Sequence, residues 1–127
     1  MRYILIIIAY FAAASCGDPY TEGKKLYQTH CANCHMDDGQ GLEGLIPPLA
    51  NSDYLQKTNA ELACLLINGY KGTMIVNGRI YEGQMPANKG LSGVEIANIL
   101  NYVGNHWGNQ RDFVNSRAVQ KAVDSCR

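Results

Sequence analysis

The sequence predicts a small all-α domain of three to four helices with one short β-hairpin set among them. Three observations carry this. Apolar residues recur at helical spacing around residues 20–31, 59–68, 96–103 and 119–126. Two of these stretches open on a capping box, Thr58-x-x-Glu61 and Ser92-x-x-Glu95. Asn77-Gly78, flanked by apolar residues on both sides, is the favoured two-residue hairpin turn.

The 127 residues suffice for one small domain. Residues 1–15 read as a leader. Arg2 is its positive end, and Ile4 to Ala14 is an unbroken apolar run too short to span a bilayer. Ala13-Ala14-Ser15-Cys16 follows. It is similar to a bacterial lipoprotein cleavage site, in which Cys16 becomes the lipidated N-terminus; Ala13 departs from that pattern, which more often has Leu. Ordinary secretory cleavage is the alternative. Either route leaves residues 16–127 as one domain outside the cytoplasm, expected in the periplasm and anchored to a bacterial membrane through lipid on Cys16. The whole chain carries 11 Lys and Arg against 11 Asp and Glu. This balance implies no nucleic-acid partner.

Asp18-Pro19 suits a helix start, Asp as N-cap and Pro at the first helical position. Tyr20, Gly23, Tyr27 and Cys31 then share one face. Gly inside a helix costs about 1 kcal/mol against Ala, so Gly23 implies close approach of another helix. The helix leads into Cys31-Ala32-Asn33-Cys34-His35. Two thiols spaced C-x-x-C and followed by His form the haem c attachment signature. On one helical turn the thiols can add to the two vinyl groups of a haem, and the same turn aims the His35 imidazole at the iron. The domain is thus expected to wrap around one covalently attached haem, which adds apolar core to a small chain. Two other chemistries use such residues. A thioredoxin-like pair wants a βαβ context that the sequence lacks. A zinc site drawing on Cys31, Cys34, His30 or His35, and His106 lacks a second spaced ligand pair.

Met36 to Gly44 is a turn-rich loop. Leu45 to Leu49 then runs apolar and non-helical, as a segment lying against the haem would. A carbonyl there can accept the Nδ1 proton of His35 and fix the ring; Pro47 is the expected acceptor. Residues 59–68 are apolar almost all round and read as a buried helix ended by Asn68-Gly69. Met74 to Tyr81 reads as the hairpin, and Gly83-Gln84-Met85-Pro86 as a loop. From Ser92 a helix carries the stripe Ile96, Ile99, Leu100 and Val103, the expected partner of the Gly23 and Tyr27 face. Gly104 to Asn109 ends it, with His106 and Trp107 in the turn. A last helix, about 115–126, has the stripe Val119, Ala122, Val123 and Cys126. With Cys31 and Cys34 assigned to haem and Cys16 to lipid, Cys64 and Cys126 are left. In an oxidising compartment they can pair as a disulfide, or remain two separate thiols.

Residues 20–109 resemble class I cytochrome c. The resemblance rests on Gly23 and Tyr27, the CANCH pentapeptide, Pro47-Pro48-Leu49, Tyr81-x-Gly83-x-Met85-Pro86, the helix through Tyr102, and the ending Trp107-Gly108-Asn109, which is similar to bacterial monohaem members. The segment after Asn109 is longer than a minimal member needs. The resemblance implies the small cytochrome c fold around one haem c, with His35 as proximal and Met85 as distal ligand and with Pro47, Leu49 and Tyr81 against the haem. From the residues alone, Met85 suits the distal place because it lies in a loop far from residue 35. Met36 is too near His35, and Met74 is the rival. A His/Met pair fills both axial positions and raises the potential. The expected function is therefore one-electron transfer between a protein donor and a protein acceptor, with no catalytic residue. Lys24, Lys25, Lys71 and Lys89 are candidates for docking charges, or simply solvated ones. The alternative is a tethered cytochrome subunit of a dehydrogenase, reductase or oxidase complex. A sensor or haem enzyme would need an open distal site.

Overall fold

The computed structural model of the protein describes residues 17–126. The leader expected over residues 1–15 and the lipid site at Cys16 lie outside the described residues. The regular elements are α1 (Thr21–His30), α2 (Ala32–His35), α3 (Asn59–Asn68), β1 (Tyr70–Val76), β2 (Arg79–Met85), α4 (Gly93–Gly104) and α5 (Ser116–Cys126). A 3-10 turn, Asp53–Gln56, precedes α3. Four helices run 10 to 12 residues, and α2, the CANCH turn, is a separate helix of 4 residues. Among the described residues that makes five helices, against the three to four expected. α1 also starts later than Asp18-Pro19. The Asp18 carboxylate accepts from the Tyr20 amide at 2.9 Å, which makes a turn first.

α1 packs across α4 at Gly23. A Cβ there would collide with the Asn98 carbonyl oxygen and lie 2.7 Å from Tyr102 Cβ. No side chain fits, which accounts for glycine on an apolar helix face. Tyr27, one turn on, is fully buried, as is Ile96 opposite. Both capping boxes form. Thr58 N–H donates to Glu61 at 2.9 Å and Ser92 N–H to Glu95 at 2.8 Å, while each hydroxyl oxygen accepts the Glu backbone N–H.

The hairpin is longer than Met74 to Tyr81. Its antiparallel register runs from Tyr70 opposite Met85 to Val76 opposite Arg79. Gly83-Gln84-Met85, expected as a loop, is therefore strand. Glycine reads as a breaker locally, but Gly83 pairs with Gly72 across the ladder. Asn77 (φ 51°) and Gly78 (φ 74°) make the positive-φ turn.

α5 covers the outside of α3 and α4, with Val119 and Val123 fully buried. Its approach is set by Asn101, a buried side chain in mid-α4. Asn101 accepts from the Val114 amide at 2.7 Å and donates to the Val114 carbonyl at 3.1 Å. Gly93 N–H donates to Gln120 Oε1 at 2.8 Å. Cys64 and Cys126 are joined by a disulfide, with Cα atoms 5.7 Å apart. Among the described residues no helix is long and apolar enough to cross a membrane.

Candidate functional site

Cys31 ends α1 and begins the one-turn α2. Its carbonyl accepts from Cys34 N–H at 3.1 Å and His35 N–H at 2.9 Å. This turn brings both thiols and the imidazole to the wall of one cleft. Cys31 is buried and Cys34 exposed, and both are free thiols. Burial, with Cys34 beside it, pushes the Cys31 thiol up to about 11.

Beyond His35 the chain reverses sharply. Met36 takes φ 63°, and its carbonyl accepts from the buried Tyr27 hydroxyl at 2.6 Å. The loop then folds back: Leu49 and Ala50 N–H both donate to the Gly39 carbonyl, at 2.7 and 3.0 Å. This lays Ile46 to Leu49 against the cleft. Pro47 carbonyl accepts from His35 Nδ1 at 3.1 Å. A carbonyl only accepts, so Nδ1 carries the proton and Nε2 keeps its lone pair. Burial holds the imidazole below its ordinary pKa, partly countered by this hydrogen bond. The ring is therefore neutral, as a metal ligand requires. Gly41 makes the approach possible: it has φ 67°, and a Cβ would collide with the Ile46 carbonyl oxygen and meet the Pro47 carbonyl oxygen at 2.8 Å.

The cleft measures about 1100 Å³ including its mouth. Its back is Ile99, Leu100 and Val103 of α4, and one side is Leu62, Leu65 and Leu66 of α3. The inner face of the hairpin closes it with Tyr70, Met74, Val76, Tyr81 and Met85. Strand alternation and the in-register ladder put these residues on one face. Gly72 and Gly83 sit between them, and a Cβ at either would meet nothing closer than 3.8 Å. The residues present fit haem c: an apolar cleft, two thiols at the attachment spacing, and one neutral imidazole with a free lone pair.

All the residues expected at the site, Cys31, Cys34, His35, Pro47, Leu49, Tyr81 and Met85, line this cleft, and so does Met74. Met85 also packs against the buried core. Cys64 and Cys126 pair with each other instead. His30 is exposed, and His106 Nδ1 lies 2.7 Å from the Tyr102 carbonyl. Among the described residues no group of three or more His, Cys, Asp or Glu gathers to hold a metal ion. The α3 and α4 walls were readable as apolar stripes, though not as walls of the site. Tyr70 and Gly72 carried no site signal, and only the pairing register reveals that they share a face with Gly83 of the methionine motif.

The cytochrome c family model matches residues 20–107. Cytochrome c-552 of Thermus thermophilus is 36% identical over 94 residues, covering 71% of this chain and 71% of that protein. For the cytochrome c-552 of a further Thermus thermophilus strain the identity is 36% and the share of that protein 63%. The cytochrome c subunit of alcohol dehydrogenase (quinone) from Gluconobacter oxydans is 32% identical over 102 residues, covering 78% of this chain and 21% of that subunit. The chain thus spans about a fifth of the length of that subunit.

Proposed function

The chain belongs to the cytochrome c family, class I, and from that premise we propose that it carries single electrons through one haem c ligated by His35 and Met85. The observation that carries this reading is the His35 Nδ1 hydrogen bond to the Pro47 carbonyl, 3.1 Å long, at the wall of an apolar cleft. It orients a neutral imidazole beside the two thiols that would hold the haem by thioether bonds. When bound, haem c supplies a one-electron couple at its iron. The protein does the rest. Cys31 and Cys34 tether, His35 donates Nε2, and Leu49 and Tyr81 exclude water. Met85 offers a thioether from the hairpin, which favours the reduced state. With His35 and Met85 both holding the iron no substrate would reach it, so the protein would work by brief docking to a donor and an acceptor.

Native protein tests this directly. One haem per chain that resists extraction by acidified organic solvent, and ferrous protein that resists carbon monoxide, are expected. An extractable haem, a second haem, or ready carbon monoxide binding overturns the reading.

The likeness to dehydrogenase subunits supports a second reading, a tethered subunit of a quinoprotein dehydrogenase complex. Isolation without denaturant distinguishes the two, since a subunit co-purifies with its enzyme. Lipid on Cys16 and a periplasmic location complete the proposal, supported by the apolar run ending at Ala-Ala-Ser-Cys. Intact mass should give a chain that starts at Cys16 and carries added acyl mass; any other start sinks that part.

A further inference from the structure

We propose that Asp53 and Asn77 form a clasp that holds the methionine-bearing hairpin closed over the cleft, so that two residues outside the cleft set how firmly its sulfur ligand is held. Asp53 N–H donates to Asn77 Oδ1 at 2.9 Å, and Asn77 N–H donates to Asp53 Oδ1 at 2.8 Å. The pair is reciprocal and joins the hairpin tip to the 3-10 turn. One of its acceptors is a carboxylate, which strengthens that bond.

The hairpin needs such a hold. Among the described residues its ladder joins β1 and β2 only to each other, and a two-stranded hairpin alone is marginal. Its outer face is solvated, with Ile75 61% and Ile80 64% exposed. The base is fixed, since Asn88 N–H donates to the Leu66 carbonyl at 3.0 Å. Toward the tip, Val76 is buried, and Arg79 pairs with Glu43 at 2.9 Å. That ion pair is too exposed to contribute much. The other side of the clasp is anchored. Ser52 N–H donates to Asn109 Oδ1 at 3.1 Å, and Asn109 in turn donates to the carbonyls of Leu49 and Val103. The turn chemistry at residue 77 asks only for a positive φ, which glycine also meets. Here the Asn side chain reaches across to a second element.

The effect on the sulfur ligand rests on the electron-carrier reading above, and the test separates the two. Asp53→Ala and Asn77→Gly each remove half the clasp, the latter keeping the positive φ. Asp53→Asn keeps an acceptor oxygen and serves as the rescue. In haem-loaded protein both disruptive variants should take up carbon monoxide about tenfold faster when ferrous, the scale of one lost hydrogen bond. They should also weaken the thioether-to-ferric-iron charge-transfer band. Amide exchange should rise across 70–85 and stay unchanged in α1 and α4. Asp53→Asn should return each readout toward wild type. Unchanged rates and exchange, in an assay where Met85→Ala binds carbon monoxide at once, overturn the clasp and leave the ligand reading standing. If Met85→Ala stays closed, the ligand reading fails, and exchange at 70–85 alone decides the clasp. Exchange rising equally in every helix also overturns it.

Discussion

His35 is 9% exposed and has one ring nitrogen occupied by Pro47, so its chemistry depends on a backbone carbonyl that no side-chain substitution can delete. Gly41 offers a way to move it. Ala at 41 takes the left-handed penalty of about 1–2 kcal/mol and also drives a methyl into the carbonyls of Ile46 and Pro47. Ala at 44, where φ is 75° and nothing lies within 4 Å, takes the first cost alone. Denaturant unfolding should rank Gly41→Ala as the more destabilised, and only that variant should shift the reduction potential. Equal effects would mean the Pro47 approach is slack. The two methionines also part at this scale. Met85→Ala should keep the haem through Cys31 and Cys34, open the iron to carbon monoxide and lower the potential. Met74→Ala should leave the iron closed and cost packing, about 2–5 kcal/mol or less because Met74 is half-buried. The reverse pattern would exchange their roles.

Helices here are held by their ends and by one close crossing. Gly23→Ala gains about 1 kcal/mol in helix propensity but must displace the Asn98 backbone and Tyr102. Overpacking costs about 1–3 kcal/mol, and backbone yields least, so net destabilisation is expected in a thermal melt. The capping boxes give a pH dependence. Hydrogen bonds from Thr58 and Ser92 hold Glu61 and Glu95 below their ordinary 4.5. A carboxylate with a lowered folded pKa binds fewer protons folded than unfolded. Its contribution is therefore full above 4.5 and is lost as pH falls through the folded value. Amide protection in the first turns of α3 and α4 should fall over that window. Thr58→Ala should weaken the dependence in α3, where the backbone N–H of residue 58 still donates to Glu61, and leave it unchanged in α4.

At the scale of the molecule, α5 is the added piece. It is joined to α4 through Gln120, with Asn101 holding Val114 just before it, and to α3 through the Cys64–Cys126 disulfide. That bond spans 62 residues, for which chain entropy alone predicts about 4 kcal/mol and measured bonds typically give 2–4. Replacing both cysteines by Ser should lower the unfolding free energy by that order. The haem spectrum should not change, because neither residue lines the cleft. A spectral shift at the iron would show that α5 reaches the site through α3.

The sequence by itself determined the parts whose signal is local. Cys31, Cys34 and His35 fall within one turn, so their spacing already states their geometry. Thr58-x-x-Glu61 and Ser92-x-x-Glu95 likewise complete their bonds within four residues, and Gly23 on an apolar stripe implied the crossing with α4. Tertiary structure decided the rest, because its signal lies between residues distant in sequence. Asp53–Asn77, Ser52–Asn109 and Asn101–Val114 are polar pairs 24, 57 and 13 residues apart, with no periodicity to announce them. The hairpin's true length needed the Gly72–Gly83 pairing, since each glycine alone reads as a breaker. Met74 and Met85 share one wall of the cleft for the same reason: register, a property of two strands together, decides which side chains face one way.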